Sequence, residues 1–433
     1  MTQSEALDLL KLGNNVFLTG AAGSGKTYVL NQYIQYLKSH KIAVGITAST
    51  GIAATHLNGM TIHSWCGIGI KDALSDHDLS AIVGKLHLKI RFSKVQVLII
   101  DEVSMLHAHR LDMVDQVARA FKDKNKPFGG LQIIMCGDFF QLPPVTRGNE
   151  DGSFVYKSGI WNNMDLKICY LEEQHRQSDR AFLRVLGDIR GNKVDDDTLN
   201  YLLERYNQEA QSQIKPTKLY THNVDVDAIN DMELAKIDEK PHTYNMTGKG
   251  NKDLLEFLHK SCLAPEHLNL KLGAIVMFVK NNYEKGFVNG TLGRVIGYDD
   301  NDYPVIEAVS GREIIATPTA WTIEEEDVVK AEISQIPLRL AWAITVHKSQ
   351  GMSLDAAEID LSKSFVPGMG YVALSRVRTL AGMKLVGLND MALIVNQEVL
   401  EMDKLFQNRS EMNVAEGRDM LKKQKQFLKS ISP

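Results

Sequence analysis

The run Gly20-Ala-Ala-Gly-Ser-Gly-Lys26-Thr27 supplies the residue types that a polyphosphate needs, at the spacing G-x-x-x-x-G-K-[ST]. Its glycines let successive backbone N–H groups converge on phosphate oxygens with no Cβ in the way, and a helix starting at the loop adds its positive end. In that arrangement Gly23, Ser24, Gly25, Lys26 and Thr27 form the cradle. Lys26 reaches the β- and γ-phosphates, and the Thr27 hydroxyl takes one place on Mg²⁺. The flanks agree: an apolar β-type run at 16–19 enters the loop, and Val29, Leu30, Tyr33, Ile34 and Leu37 follow at helical spacing. The expectation is a nucleoside triphosphate site rather than a glycine-rich turn.

Such a loop needs an acidic partner, and Val95-Gln-Val-Leu-Ile-Ile-Asp101-Glu102 has its form. A buried strand that ends in a carboxylate can hold Asp101 over the loop to engage Mg²⁺, with Glu102 placed to polarise a water in line with the γ-phosphate. A further strand ends in Cys136-Gly-Asp-Phe-Phe-Gln141. Sheet logic turns that end toward the nucleotide too, so Gln141 is a candidate γ-phosphate sensor. Phe139 and Phe140 stand either as core anchors or as a surface for stacking bases. Two arginines, Arg176 and Arg376, lie just past candidate strands or helices. Alone they read as surface ion pairs; the strings around them make them candidates to neutralise charge on the transferring phosphoryl group, an effect worth about 10³–10⁵ in turnover.

These groups need elements to hold them. At 433 residues the length suggests about three domains. A composition of 44% hydrophobic and 24% charged residues belongs to an ordinary globular chain. The net charge of −4 offers no global basic field, so any nucleic-acid surface has to be a local groove. Cys66, Cys136, Cys169 and Cys262 lie far apart without metal spacing and read as reduced, mostly buried thiols of an intracellular protein. No signal peptide or membrane-length apolar stretch is seen, which implies a protein without a membrane partner.

Residues 1–180 alternate strand and helix patterns, with strands expected at 16–19, 42–47, 95–100, 131–136 and 167–171, the signature of a mostly parallel sheet covered on both faces. A second α/β portion starts near 179, with helices at 179–190, 196–206 and 225–237 and a strand at 218–221. Between about 270 and 324 short β runs are punctuated by Asn289-Gly290, Asp300-Asn301 and Ser310-Gly311, which suits a small β-barrel. The α/β style returns at 337–361 and 383–388. The barrel therefore reads as an insertion. Within it, the stretch 280–290, with Lys280, Tyr283, Lys285 and Phe287, is either a DNA-lining loop or a hairpin whose aromatics close the barrel.

Taken in order, Gly20–Thr27, Thr47-Ala-Ser-Thr-Gly-Ile-Ala-Ala54, Asp101-Glu-Val-Ser-Met105, Gly137–Pro144, His175-Arg-Gln177, Trp342-Ala-Ile-Thr-Val-His-Lys-Ser-Gln-Gly351 and Tyr371–Arg376 resemble the motif series of a superfamily-one (1B) helicase over nearly the whole chain. Leu111-Asp-Met-Val-Asp-Gln-Val-Ala-Arg-Ala, Lys126-Pro-Phe-Gly-Gly-Leu-Gln132 and Thr61-Ile-His-Ser-Trp65 are similar to the PIF (petite integration frequency) helicases. His175 departs from the aromatic more usual before Arg-Gln.

The resemblance implies an α/β fold of two RecA-like P-loop domains. The first would span 1–180 with a small wedge (1B) at about 64–80. The second would be formed by 181–237 and 330–433, with a small β-barrel (2B) inserted at 238–329. It implies a monomeric ATP- and Mg²⁺-dependent helicase moving 5′-to-3′ on single-stranded DNA and opening forked or partial duplex and quadruplex DNA, in repair and in genome or telomere maintenance. It places Gln3 on adenine and Gly351 near the nucleotide. Thr47, Ser49, Thr50, Gly51 and His63 fall in segments that touch DNA from the first domain, and Asn223, Thr345, His347 and Lys348 in those of the second. Small hydroxyls and backbone N–H groups can hold phosphates without a strongly basic face. The compact length points to a bacterial or phage-like source and the cytoplasm, or to nucleus or mitochondrion in a eukaryote. The rival readings are a P-loop switch without a motor, which would show no DNA-stimulated ATPase, and a translocase that does not unwind.

Overall fold

The computed structural model describes residues 1–69, 71–144, 153–174, 179–220, 225–325 and 328–431. They fall into two compact units: Met1–Phe139, Pro143–His175 and Glu401–Pro433 form the first, and Phe140–Leu142 with Arg176–Leu400 the second.

The first unit is built on a six-stranded, all-parallel sheet of β1 (Asn15–Gly20), β2 (Val44–Ala48), β3 (Met60–Thr61), β4 (Val97–Asp101), β5 (Gln132–Cys136) and β6 (Leu166–Leu171), in the order β3-β2-β4-β5-β1-β6. All five residues of β4 are buried, as expected of a strand covered on both faces. The helix Lys26–Ser39 buries Val29, Leu30, Tyr33, Ile34 and Leu37 against the sheet, together with Val16, Leu18 and Ile99. The five expected strands are all present, with ends displaced by no more than two residues. Because the strands are parallel, the loop after β1 and the carboxylate ending β4 emerge at the same edge, with β5 between them. That edge is where open α/β sheets bind ligands.

The long helix Gln397–Ile431 corrects the expected domain boundary. From Glu401 it belongs to the first unit rather than to the second. The reason is β6, which ends the sheet and so presents backbone groups without a strand partner. Tyr170 N–H donates to Ser410 Oγ at 3.0 Å, Asn413 Nδ2 donates to Ile168 O at 3.1 Å, and the Met1 ammonium donates to Tyr170 O at 2.8 Å. The Phe406 ring, 5.2 Å from that of Phe17, fixes the helix against the core.

The second unit has a four-stranded parallel sheet in the order Ala343–Thr345, Thr217–Tyr220, Ala357–Leu361, Met383–Leu388. Between its first and second strands in sequence lie three antiparallel sheets. One has five strands (Glu313–Ile315, Pro304–Ala308, Leu292–Tyr298, Ile275–Phe278, Leu338–Leu340), one three (Thr319–Glu325, Val328–Gln335, Thr247–Gly250) and one two (His267–Leu270, His242–Asn245). The pairs Asp300-Asn301 and Ser310-Gly311 are the turns between neighbouring strands of the five-stranded sheet. Antiparallel pairing runs on to Leu340, past the expected end at 329. The helix Lys252–Ser261 within this segment had not been foreseen.

Candidate active site

β1 delivers the chain into the loop at Gly20, whose backbone (φ +141) and surroundings exclude any other residue: a Cβ there would lie 2.5 Å from Leu171 O and 2.8 Å from Ser24 Oγ. Gly25 sits in the left-handed region at the start of the helix Lys26–Ser39, and no side chain caps its N–H groups among the described residues. Those N–H groups are the donors a phosphate would use. The Ser24 hydroxyl is fully buried and has no hydrogen-bond partner among the described residues. The Lys26 ammonium is folded over the loop, donating to Gly20 O at 2.8 Å and Ala21 O at 3.1 Å. Thr27 is exposed on the first turn. Gln3 reaches the same loop, its Nε2 donating to Ser24 O at 3.2 Å. A cradle of glycines, an uncapped helix start and an ammonium fit a polyphosphate.

Asp101 ends β4 nearly buried, with Oδ1 accepting the Glu102 N–H at 2.8 Å. Burial raises its pKa above the usual carboxylate range, opposed by the Glu102 N–H, a hydrogen bond from the Cys136 thiol and the charge of Lys26. The same burial, with the Asp101 charge beside it, drives the Cys136 thiol well above its ordinary value. The sequence marks Cys136 as a reduced, buried thiol and no more. The adjacency of β5 to both β1 and β4 is what places it against the carboxylate. Among the described residues no group of three or more His, Cys, Asp or Glu could hold a metal by itself. Thr27 and Asp101 suit Mg²⁺, which takes few protein oxygens and completes its shell with phosphate and water.

Next to β4 lies β2, with Ala48 opposite Asp101. Here the expected DNA contacts divide. Thr47 is fully buried and its hydroxyl donates to Ile99 O at 2.6 Å, so this side chain braces the sheet. Ser49 also turns inward, donating from Oγ to Glu102 O at 2.6 Å. Thr50 caps the helix Gly51–His56, and both Thr50 and Gly51 are half-buried. His63 is half-buried, and its pKa falls to about 4 through burial and the positive charge of Arg110, His107 and His109. In the segment expected to form a wedge, Trp65, Cys66 and Ile68 are core residues, whereas 71–77 are accessible.

In the second unit Thr345 and Lys348 are half-buried and His347 is exposed. Lys348 Nζ pairs with Asp227 at 3.0 Å, and the same carboxylate pairs with the buried Arg339 at 3.0 Å. Asp227 had no sequence signal, since 121 residues separate it from Lys348. Arg376 is 1% exposed; its Nε donates to Val372 O at 3.0 Å and Nη2 to Ser375 Oγ at 2.9 Å. Gln141 is buried and Gly351 exposed at φ +77. Phe139 is a core anchor, within 5.3 Å of Phe17, and Phe140 lies under the Arg190 guanidinium at 4.1 Å. In the stretch 280–290, Phe287 is buried and stacks on Phe278 at 4.0 Å, Lys280 donates to Ala320 O, and Tyr283 is 79% exposed. Arg176 and Asn223 lie outside the described residues.

Comparison with known proteins settles the kinship. The PIF1-like helicase family model matches residues 3–188, and the model for the 2B domain of DNA helicase Pif1 matches 253–298. The ATP-dependent DNA helicase Pif1 of Psychrobacter sp. (strain PRwf-1) is 45% identical over 95% of this chain and 71% of its own length. The chain belongs to the PIF1-like helicase family. Among solved structures, Bacteroides sp Pif1 in complex with ADP-AlF4 superposes with a TM-score of 0.80 at 32% identity, covering 95% of this chain and 97% of that one. Bacteroides Pif1 in complex with ADP-AlF3 and ssDNA gives 0.62 at 33% identity, covering 94% and 96%. The α/β architecture of the PIF1-like family, with its RecA-like domains, is therefore that of this protein.

The PIF1-like signature segment is tied together by its own contacts. On the helix Ala108–Phe121, Asp115 accepts the buried Phe128 N–H at 2.6 Å and pairs with Arg119 at 2.7 Å. Phe128 and Gly129 both take positive φ, +48 and +63. A Cβ on Gly129 would stand 2.6 Å from Ala118 O and 2.7 Å from Lys122 Cβ. Gly129→Ala should therefore destabilise the protein by about 1–3 kcal/mol, read as a lower urea midpoint. Wild-type stability in that variant would show that the loop tolerates a side chain here and that the signature does not lock the helix.

Proposed function

We propose that the chain is an ATP-driven DNA helicase that moves 5′-to-3′ along single-stranded DNA and opens the duplex ahead. The observation that carries this is the convergence of the Gly20–Thr27 cradle with Asp101 and Glu102 at one sheet edge, in a chain that matches DNA helicases along nearly all its length. In this reading Lys26 and the loop N–H groups neutralise the phosphates, and Glu102 takes up the proton of the attacking water. Mg²⁺ would be held by Thr27 and Asp101 and supply further charge neutralisation. Thr50, Gly51, His63, Thr345, His347 and Lys348 hold the strand, Lys348 exchanging Asp227 for a DNA phosphate. Asn223, Arg176 and Arg376 keep the roles the motif match gives them. Gln3 reads the base, which its bond to the phosphate loop supports.

Direction of travel, action on forked and quadruplex DNA, a monomeric motor, Mg²⁺, a cytoplasmic location and a role in genome maintenance belong to the proposal through kinship. No helix among the described residues is long and apolar enough to cross a membrane. Opening duplex costs about 1.4 kcal/mol of stacking per base-pair step, well within a coupled nucleotide cycle. The test is unwinding of partial duplexes with either a 5′ or a 3′ single-stranded tail in the presence of ATP and Mg²⁺. Unwinding from the 5′ tail alone is expected. Preference for the 3′ tail overturns the direction, and DNA-stimulated hydrolysis without strand separation makes the protein a translocase that does not unwind.

A further inference from the structure

Resting on the helicase reading, we propose that Ser49 is a positioning residue for Glu102, through which DNA held at Thr50 and Gly51 sets the rate of hydrolysis. Glu102 adopts φ 51 and ψ 42, a left-handed backbone that a side chain rarely takes and that persists only where its surroundings determine it. Hydrogen bonds among the described residues fix it. Its own N–H donates to Asp101 Oδ1 at 2.8 Å, and its carbonyl accepts from Met105 N–H at 3.1 Å and from Ser49 Oγ at 2.6 Å. The first two are local. The third crosses 53 residues of sequence from the neighbouring strand, and the Ser49 N–H adds a bond to Asp101 O at 3.0 Å.

Ser49 thus grips the peptide on both sides of the residue that must aim at water, and is itself only 9% exposed. One peptide further on, Thr50 and Gly51 open the helix Gly51–His56 at partly accessible positions. In this proposal a shift of that turn is passed to Ser49, and through its two bonds to the backbone that aims the Glu102 carboxylate. Thr47, bonded to Ile99 O, anchors the strand upstream so that the displacement is taken up at Ser49. Geometry at this level matters, because an ångström of misplacement of a reacting group costs up to about 10²-fold in rate.

The experiment is steady-state ATPase with and without saturating single-stranded DNA, together with single-strand affinity, for wild type, Ser49→Ala, Ser49→Thr and Ser49→Cys. Ser49→Ala should lower the DNA-stimulated kcat about tenfold or more, leaving the KM for ATP and the DNA affinity within about twofold of wild type. Ser49→Thr keeps the hydroxyl and should restore most of kcat. Ser49→Cys keeps the volume but donates weakly; it should lose kcat in the same sense and serves if the alanine variant does not fold. Weakened DNA binding with full kcat at saturating DNA would make Ser49 a direct DNA contact and overturn the inference, as would unchanged kinetics in both Ala and Cys variants. Failure of the helicase reading looks different: the wild-type protein itself would hydrolyse ATP without responding to DNA.

Discussion

Glu102→Gln should lower ATP turnover by about 10²–10⁴-fold, the span that general-base catalysis contributes, while nucleotide and single-stranded DNA still bind. The change removes a proton acceptor and little else. The turn is held by bonds from the Glu102 N–H to the Asp101 carboxylate, from the Met105 N–H and Ser49 Oγ to the Glu102 carbonyl and from the Ser49 N–H to the Asp101 carbonyl, in none of which the Glu102 side chain takes part. Lys26→Ala should differ in kind. Its ammonium sits over the phosphate loop, and removing it takes away charge that both the bound triphosphate and the transition state use. Turnover should fall by at least about 10²-fold, and nucleotide affinity should fall with it. Single-turnover hydrolysis and titration with a fluorescent ATP analogue separate the two variants. Glu102→Gln with turnover near wild type would remove Glu102 from the reaction, and Lys26→Ala with unaltered affinity and rate would remove the loop itself.

What the sequence disclosed of this site is what lies close together along the chain. The loop Gly20–Thr27, the strand before it and the helix after it form one continuous segment, so residue type, spacing and periodicity bear on one another directly. The five apolar residues at helical spacing are the five that Lys26–Ser39 buries. The apolar run ending on Asp101 was equally legible, because a strand buried on both faces leaves no alternation to misread.

What the sequence left hidden lies in pairs distant along the chain. Thr47 stands in β2 beside β4, and its hydroxyl donates to Ile99 O of that neighbouring strand; motif matching locates the segment but not which way a side chain turns. The helix from Glu401 joins the first unit because β6 needs its open edge sealed, a demand visible only once the strand order is known. The same order puts Cys136 beside Asp101, and nothing in the local sequence around either residue announces it. The antiparallel strands run on past 329 to Leu340, because Val328–Gln335 pairs with both Thr319–Glu325 and Thr247–Gly250, and Leu338–Leu340 adds to the edge of the five-stranded sheet beside Ile275–Phe278. Local sequence does not display the pairings with the distant Thr247–Gly250 and Ile275–Phe278.

Asp101→Asn should abolish ATP turnover and yet yield a more heat-resistant protein in the absence of nucleotide and Mg²⁺. The carboxyl is nearly enclosed, and the loss of water around its charge outweighs the help it draws from the Glu102 N–H, Cys136 and Lys26, so its folded-state pKa lies above the unfolded value. For an acid, a raised folded-state pKa means that the folded protein favours the protonated form. The ionised carboxylate then lowers stability, fully so once pH exceeds the folded pKa and not at all below the unfolded value near 3.9. Asparagine carries no charge and keeps an oxygen for the Glu102 N–H, so the variant escapes the penalty. The melting temperature of Asp101→Asn should therefore exceed that of wild type at neutral pH, the gap closing as pH falls into the ordinary carboxylate range. A variant that melts lower than wild type at neutral pH would mean that the charge is stabilised where it stands, with Lys26 outweighing burial. The expected outcome instead makes Asp101 a residue kept at a cost to the fold, its charge retained for function rather than for stability.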